Sequence, residues 1–174
     1  MKKALILTFC VMSTGVFAQS KLSDKIYFGG GFGFSAGNNV TNISLSPQVG
    51  YKITPRFSSG FGITYQYVKF KSIDTSISNF GWSIFSRYNV TQQFFAYTEF
   101  ENLKFEYFTS FNPERTDSDT YNSLLVGAGY TESLAGRASF SISALYNVLY
   151  DATDPIQPYD SPWQIRAGVG IGIF

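Results

Sequence analysis

The chain closes on Trp163-Gln164-Ile165-Arg166-Ala167-Gly168-Val169-Gly170-Ile171-Gly172-Ile173-Phe174. Trp163, Ile165, Ala167, Val169, Ile171 and Ile173 share one parity, and Gln164, Arg166, Gly168, Gly170 and Gly172 share the other. Successive side chains of an extended strand point to opposite faces, so this run reads as a strand with one greasy face and one small or polar face. The run before it repeats the pattern. Ala138, Phe140, Ile142, Ala144, Tyr146, Val148 and Tyr150 alternate with Ser139, Ser141, Ser143 and Asn147. In a soluble sandwich the greasy face would meet a second sheet. Here almost every run has a small, polar or charged second face, which fits a barrel with lipid outside and a polar, side-chain-filled interior.

Working outward, eight such runs fit one domain, at residues 26–36, 43–52, 57–69, 77–89, 94–108, 120–132, 137–150 and 162–174. Each can supply the roughly 9–11 tilted residues that cross a hydrocarbon layer. The connections 53–56, 90–93 and 133–136 are tight, whereas 70–76, 109–119 and 151–161 are longer and more polar. Only residues 37–42 are short where a long loop is due. The expected architecture is therefore an all-β, eight-stranded antiparallel up-and-down transmembrane barrel, with short turns and both termini on the periplasmic side. Glycines gather on the inward parity, as at Gly29, Gly31, Gly60, Gly62, Gly81, Gly127 and Gly129. Eight strands enclose little volume, so small residues are expected to leave room for long polar neighbours. Two places resist the pattern. Pro47 cannot donate to a ladder and is expected to mark a bulge or a late start of the second strand. In the fifth strand Ala96, Thr98 and Phe100 read as outward, but so do Leu103, Phe105 and Tyr107, so a bulge is expected near Glu101 or Asn102.

The start of the chain reads as a cleaved signal peptide, residues 1–18. Lys2 and Lys3 form the positive end, residues 4–12 the apolar stretch, and Val16-Phe17-Ala18 the cut site, leaving residues 19–174 as the barrel. The apolar stretch is short of the roughly 20 residues of a spanning helix. Cys10, the one cysteine among 174 residues, falls in this leader, so no disulfide is expected. The chain carries 13 basic and 12 acidic side chains. Loss of Lys2 and Lys3 leaves 11 basic against 12 acidic, a balance that gives no reason to expect a nucleic-acid partner. The 18 Phe and 12 Tyr suit a lipid-facing surface with aromatic girdles.

The signal peptide, the strand pattern, the Gly-rich first strand (residues 28–34) and the terminal Phe174 together give a resemblance over residues 20–174. The chain resembles the small eight-stranded outer-membrane barrels of the outer membrane protein A and OmpX kind. It is most similar to the outer membrane protein beta-barrel families of Bacteroidetes. The resemblance implies a Gram-negative outer-membrane location, a monomer, contact with membrane lipid and lipopolysaccharide, and reading of Phe174 by the barrel-assembly machinery. In that signal the apolar alternation shares parity with the terminal aromatic, whereas Ile173, Ile171 and Val169 lie opposite to Phe174.

The absence of histidine removes Ser-His-Asp catalysis and histidine-dependent metal sites. No other catalytic spacing stands out, so no enzyme activity, metal or cofactor is expected. The sharpest local signal is inward charge. Arg87 and Glu99 would flank a tight turn and are expected to pair in the lumen, with Lys52, Glu101, Arg137 and Arg166 as further members. Charges in a narrow lumen pair or stay wet. The bland reading is a permanent plug, and the functional one a gate for ions. Glu114, Asp117 and Asp119 in one loop, and Asp151, Asp154 and Asp160 in another, place oxygens where Ca²⁺ or cation-bridged lipopolysaccharide could sit, although solvated loops explain them as well. Three sequon matches, at Asn39, Asn42 and Asn89, are read as chance. The expected function is a non-enzymatic structural or surface-interaction role. The alternatives are a narrow porin-like channel for ions or very small solutes, and a soluble periplasmic barrel binding an apolar ligand.

Overall fold

The strands come in the order β1 (Ile26–Ala36), β2 (Val40–Lys52), β3 (Phe57–Phe70), β4 (Thr75–Asn89), β5 (Phe94–Phe111), β6 (Glu114–Ser133), β7 (Ala138–Asn147) and β8 (Trp163–Ile171). Each pairs antiparallel with its neighbours in sequence, and β8 returns to β1 to close the barrel. The computed structural model describes residues 25–36, 40–70, 75–111, 114–134, 136–153, 159 and 161–172. The proposed leader, Phe174, Asp154 and Asp160 lie outside them.

Two of the tight turns share one chemistry. Thr54 Oγ1 accepts from the Phe57 N–H at 2.9 Å, and Thr91 Oγ1 accepts from the Phe94 N–H at 2.9 Å. A threonine hydroxyl thus takes up a backbone donor that the reversal would leave unpaired. At the other end Asn147 stops β7. Its Oδ1 accepts from the N–H groups of Leu124 and Leu149, at 3.2 and 3.1 Å, and its Nδ2 donates to Ser123 Oγ at 3.3 Å. The strand expected to run to residue 150 therefore leaves the sheet at Asn147.

The strands are steeply inclined. From Trp163 at the loop end of β8, partner follows partner through Tyr146, Val126, Thr98, Ser86, Ser59 and Tyr51 to Ile26 at the turn end of β1. One circuit of partners descends the height of β8, as barrel closure with a shear requires. Outward side chains at one level consequently lie on a diagonal of the sheet. Near the turn end they include Phe28, Tyr51, Tyr88, Phe94 and Phe140. Further up come Val49, Phe61, Ile84, Val126, Ile142 and Ile165, and beyond them Tyr65, Phe80, Trp82, Tyr146 and Trp163, all exposed.

Above this band the two faces exchange character. Lys104 on β5 and Thr120 and Asn122 on β6 point out and are exposed, and Asn102 Nδ2 donates to Asn122 Oδ1 at 2.7 Å on that outer surface. Inside the same stretch Val68, Ile77, Leu103 and Phe105 are buried. This corrects the reading of the fifth strand. Its register with β4 is unbroken from Phe80↔Lys104 to Asn89↔Phe95, and Leu103 and Phe105 point in, with no bulge at Glu101 or Asn102. The parity of the strand holds while the interior turns apolar. The one shift along the β5–β6 hairpin lies between Phe108 and Ser110. Residues 109–119, expected as a loop, instead include the ends of both strands, paired through Ser110↔Arg115 and Phe111↔Glu114.

Pro47 also lacks the expected bulge. Its pairing with Gly30 stays in step with the rest of β1 and β2. A Cβ at Gly30 would come within 2.6 Å of the Ser46 carbonyl oxygen and 2.9 Å of Pro47 Cα, so glycine supplies the room that the proline needs.

Some inward glycines make space for side chains, the Gln48 chain beside Gly62 and rings beside Gly50, Gly60 and Gly129. A Cβ at Gly50 would overlap the Tyr27 ring, and one at Gly129 would overlap the Phe95 ring. Gly50→Val is therefore expected to destabilise the barrel by about 1–3 kcal/mol through overpacking. Combined with Tyr27→Ser it should cost less than the two losses added, as measured by urea unfolding in micelles. Additive losses would show that Gly50 does not accommodate that ring.

Candidate functional site

The inward parity of β5 presents Phe95, Tyr97, Glu99, Glu101, Leu103 and Phe105 in one column. Glu99 and Glu101 are each 1% exposed and would be costly to leave unpaired. Their partner comes from the opposite wall. Arg166 on β8 places Nη1 at 2.6 Å from Glu99 Oε2 and Nη2 at 2.9 Å from Glu101 Oε2. The fork of the guanidinium thus holds two carboxylates, in charge-assisted bonds of the strong kind. Gln164 Oε1 accepts from Arg166 Nη2 at 3.2 Å. Tyr97 donates its hydroxyl to Glu99 Oε2 at 3.1 Å and accepts from Gln48 Nε2 at 3.1 Å. Tyr159, from the last long connection, donates its hydroxyl to Glu101 Oε1. The network ties β2, β5, β8 and that connection across the lumen, with one cation against two anions.

Below it lies an aromatic tier. Phe85 stacks on Tyr97 with ring centroids 5.7 Å apart, and Phe95 meets Tyr97 edge-on at 6.3 Å. Tyr27 and Ser58 share a hydrogen bond of 2.9 Å through their hydroxyls. The Arg87 guanidinium carbon sits 3.7 Å from the centre of the Phe95 ring, and its Nε donates to Asn89 Oδ1 at 2.9 Å. A cavity of about 270 Å³ runs along the β1–β2–β8 side of the lumen, between small residues such as Gly29, Gly31, Ser44 and Ser46 and the side chains of Arg87, Tyr97 and Arg166.

Of the six expected lumen charges, Arg166, Glu99 and Glu101 come together. The anticipated Arg87–Glu99 pair does not form. Across the ladder Arg87 faces Tyr97 while Glu99 faces Phe85, and the Glu99 carboxylate is taken by Arg166. Lys52 is half-buried at the turn-end mouth, beside Arg56 and Glu132. Arg137 is exposed just before β7, outside the network. The parity of β5 already placed Tyr97 inside, and that of β8 placed Gln164; the same rule applied to β2 would have found Gln48. Nothing in the sequence marked Tyr159, because it reaches the lumen from a connection.

Among the described residues no three His, Cys, Asp or Glu side chains are grouped to hold a metal ion. The arrangement can brace two walls and fill the bore between them. The sequence matches no protein-family model and no curated protein.

Proposed function

We propose that this chain is an integral barrel of a Gram-negative outer membrane, with a non-enzymatic structural or surface-interaction role. One observation carries the reading. The barrel wears large apolar side chains outside, from Phe28 and Val169 to Phe61 and Ile84, while the Glu99 and Glu101 carboxylates and their ties to Arg166 lie within. Soluble monomers seldom expose contiguous apolar patches beyond a few hundred Å². A lipid-spanning barrel has this inside-out distribution, with aromatic residues toward both rims. The exchange of faces above the band gives the same reading a boundary, because strands emerging into water need a polar exterior again. It also weighs against a soluble barrel with an apolar ligand, whose interior would be greasy throughout. The cross-lumen network favours a strut over a pore, and the strands and connections beyond the band are the part available to partners or to lipopolysaccharide. The cavity beside Arg166 favours a narrow channel as the second reading, with the Arg166 ties as its obstruction.

The expected result is that the protein fractionates with outer membranes, needs detergent for extraction, and migrates faster on gels unheated than boiled. Recovery as a detergent-free periplasmic protein would overturn the reading. In planar bilayers the strut gives a silent membrane, and discrete conductance steps would favour the channel.

A further inference from the structure

We infer that the lumen is a binding site for a small monovalent anion, of the carboxylate or halide class, held on the guanidinium of Arg87. This goes beyond the proposed function and stands for a barrel in lipid or in water alike. Arg87 is only 6% exposed. Both neighbouring buried carboxylates, Glu99 and Glu101, are committed to Arg166, so Arg87 is a buried cation that neither of them neutralises. Asn89 takes its Nε, the Phe95 ring covers one face, and Nη2 meets no acceptor. A buried cation in contact with no carboxylate, carrying an unused N–H, is unfavourable unless something supplies an acceptor and a nearby negative charge.

A second observation points the same way. Among the described residues, two buried side-chain polar atoms lack a partner, Arg87 Nη2 and Gln164 Nε2. Both are N–H donors, and both residues line the one cavity of about 270 Å³. An occupant that brings acceptors suits the donor-bearing side chains that line this cavity. Water brings acceptors but no charge, whereas an anion brings the missing charge as well. The cavity has room for a few-atom anion and several waters, at roughly 30 Å³ for each water. A carboxylate can accept in the plane of a guanidinium edge, and Nε is the edge already used. Approach from the turn end is favourable. Lys52, Ser58 and Arg87 are successive partners across β2, β3 and β4 on the inward parity, and Lys52 and Arg56 border the mouth beside Glu132.

The test uses the full barrel in uncharged detergent micelles, with sodium bromide as the probe and the bromide NMR line width as the readout. The wild type is expected to broaden the line beyond micelles alone, and sodium formate at matched ionic strength should remove the excess. Arg87→Gln should lose the broadening and Arg87→Lys should keep it, with heat-shifted gel migration verifying that each variant is folded. Absence of broadening by the wild type, or equal broadening by folded Arg87→Gln, overturns the inference. If Arg87→Gln does not fold, bromide-soaked wild-type crystals decide. An anomalous peak within hydrogen-bond reach of the Arg87 guanidinium supports the site, and no peak there overturns it.

Discussion

Replacing Arg166 with glutamine is expected to destabilise the barrel more than any other single change in its interior. The substitution strips both carboxylates of their cation and leaves two negative charges side by side at positions 1% exposed. Breaking a buried pair costs about 3–5 kcal/mol where the survivor is fully dry. The Arg166 side chain is 30% exposed toward the cavity, so hydration softens the loss to about 2–4 kcal/mol. Glu99→Gln has a different balance. It leaves Arg166 paired with Glu101, turns a net negative cluster neutral, and keeps an acceptor for Tyr97, so its cost should be nearer about 1 kcal/mol. The two changes together should be more stable than Arg166→Gln alone, because the second removes one of the orphaned charges. Urea unfolding in lipid vesicles measures all three. Equal losses for Arg166→Gln and Glu99→Gln, with no recovery in the double variant, would show that the cluster is not held by its charge balance.

The second large effect concerns the outer surface. Ile84 is 52% exposed and is flanked across the ladder by Phe61 and Phe100. In the proposed membrane setting an arginine there would meet hydrocarbon, and Ile84→Arg should cost about 2–4 kcal/mol. Ile142→Arg, on the same tier, should cost a similar amount, and Val169→Arg, beside Phe140 of the turn-end tier, should cost less. Thr120→Arg lies above the exchange of faces and should stay within about 0.5 kcal/mol. A barrel in water would accept arginine at Ile84 as readily as at Thr120, because both side chains already touch solvent. Equal tolerance at the two positions would therefore remove the lipid from this interpretation.

The strands were legible because a period of two is written directly in residues such as Phe28-Gly29 and Ser141-Ile142. A one-residue slip would have turned every such pair inside out. The same rule identified Glu99, Glu101 and Arg166 as interior. It could not choose among them, because pairing inside a closed barrel depends on tilt. With the inclination seen here Arg87 sits below Glu99, level with rings, and Arg166 reaches across from the far wall. The apolar stretch around Leu103 misled for a related reason. Alternation reports which face a residue takes, but not whether that face meets lipid, water or a filled bore. Tyr159 was illegible because no period governs a connection.

The closure between β1 and β8 is slender. Among the described residues it rests on the partners Phe28↔Ile171 through Gly31↔Gly168, where glycines supply much of both strands. Every other pairing joins consecutive strands through a connection, so seven hairpins can zip locally, whereas this seam joins the two extremities of the sheet. Loop-closure entropy grows with the chain enclosed, and such a contact forms late. The span from Arg166 to Glu99 and Glu101 is then more than filling. It anchors the last strand to the middle of the sheet from inside, so β8 is held from two directions before its own edge has found β1. In kinetic terms the lumen network is expected to act as a clasp, shortening the one long search this topology demands.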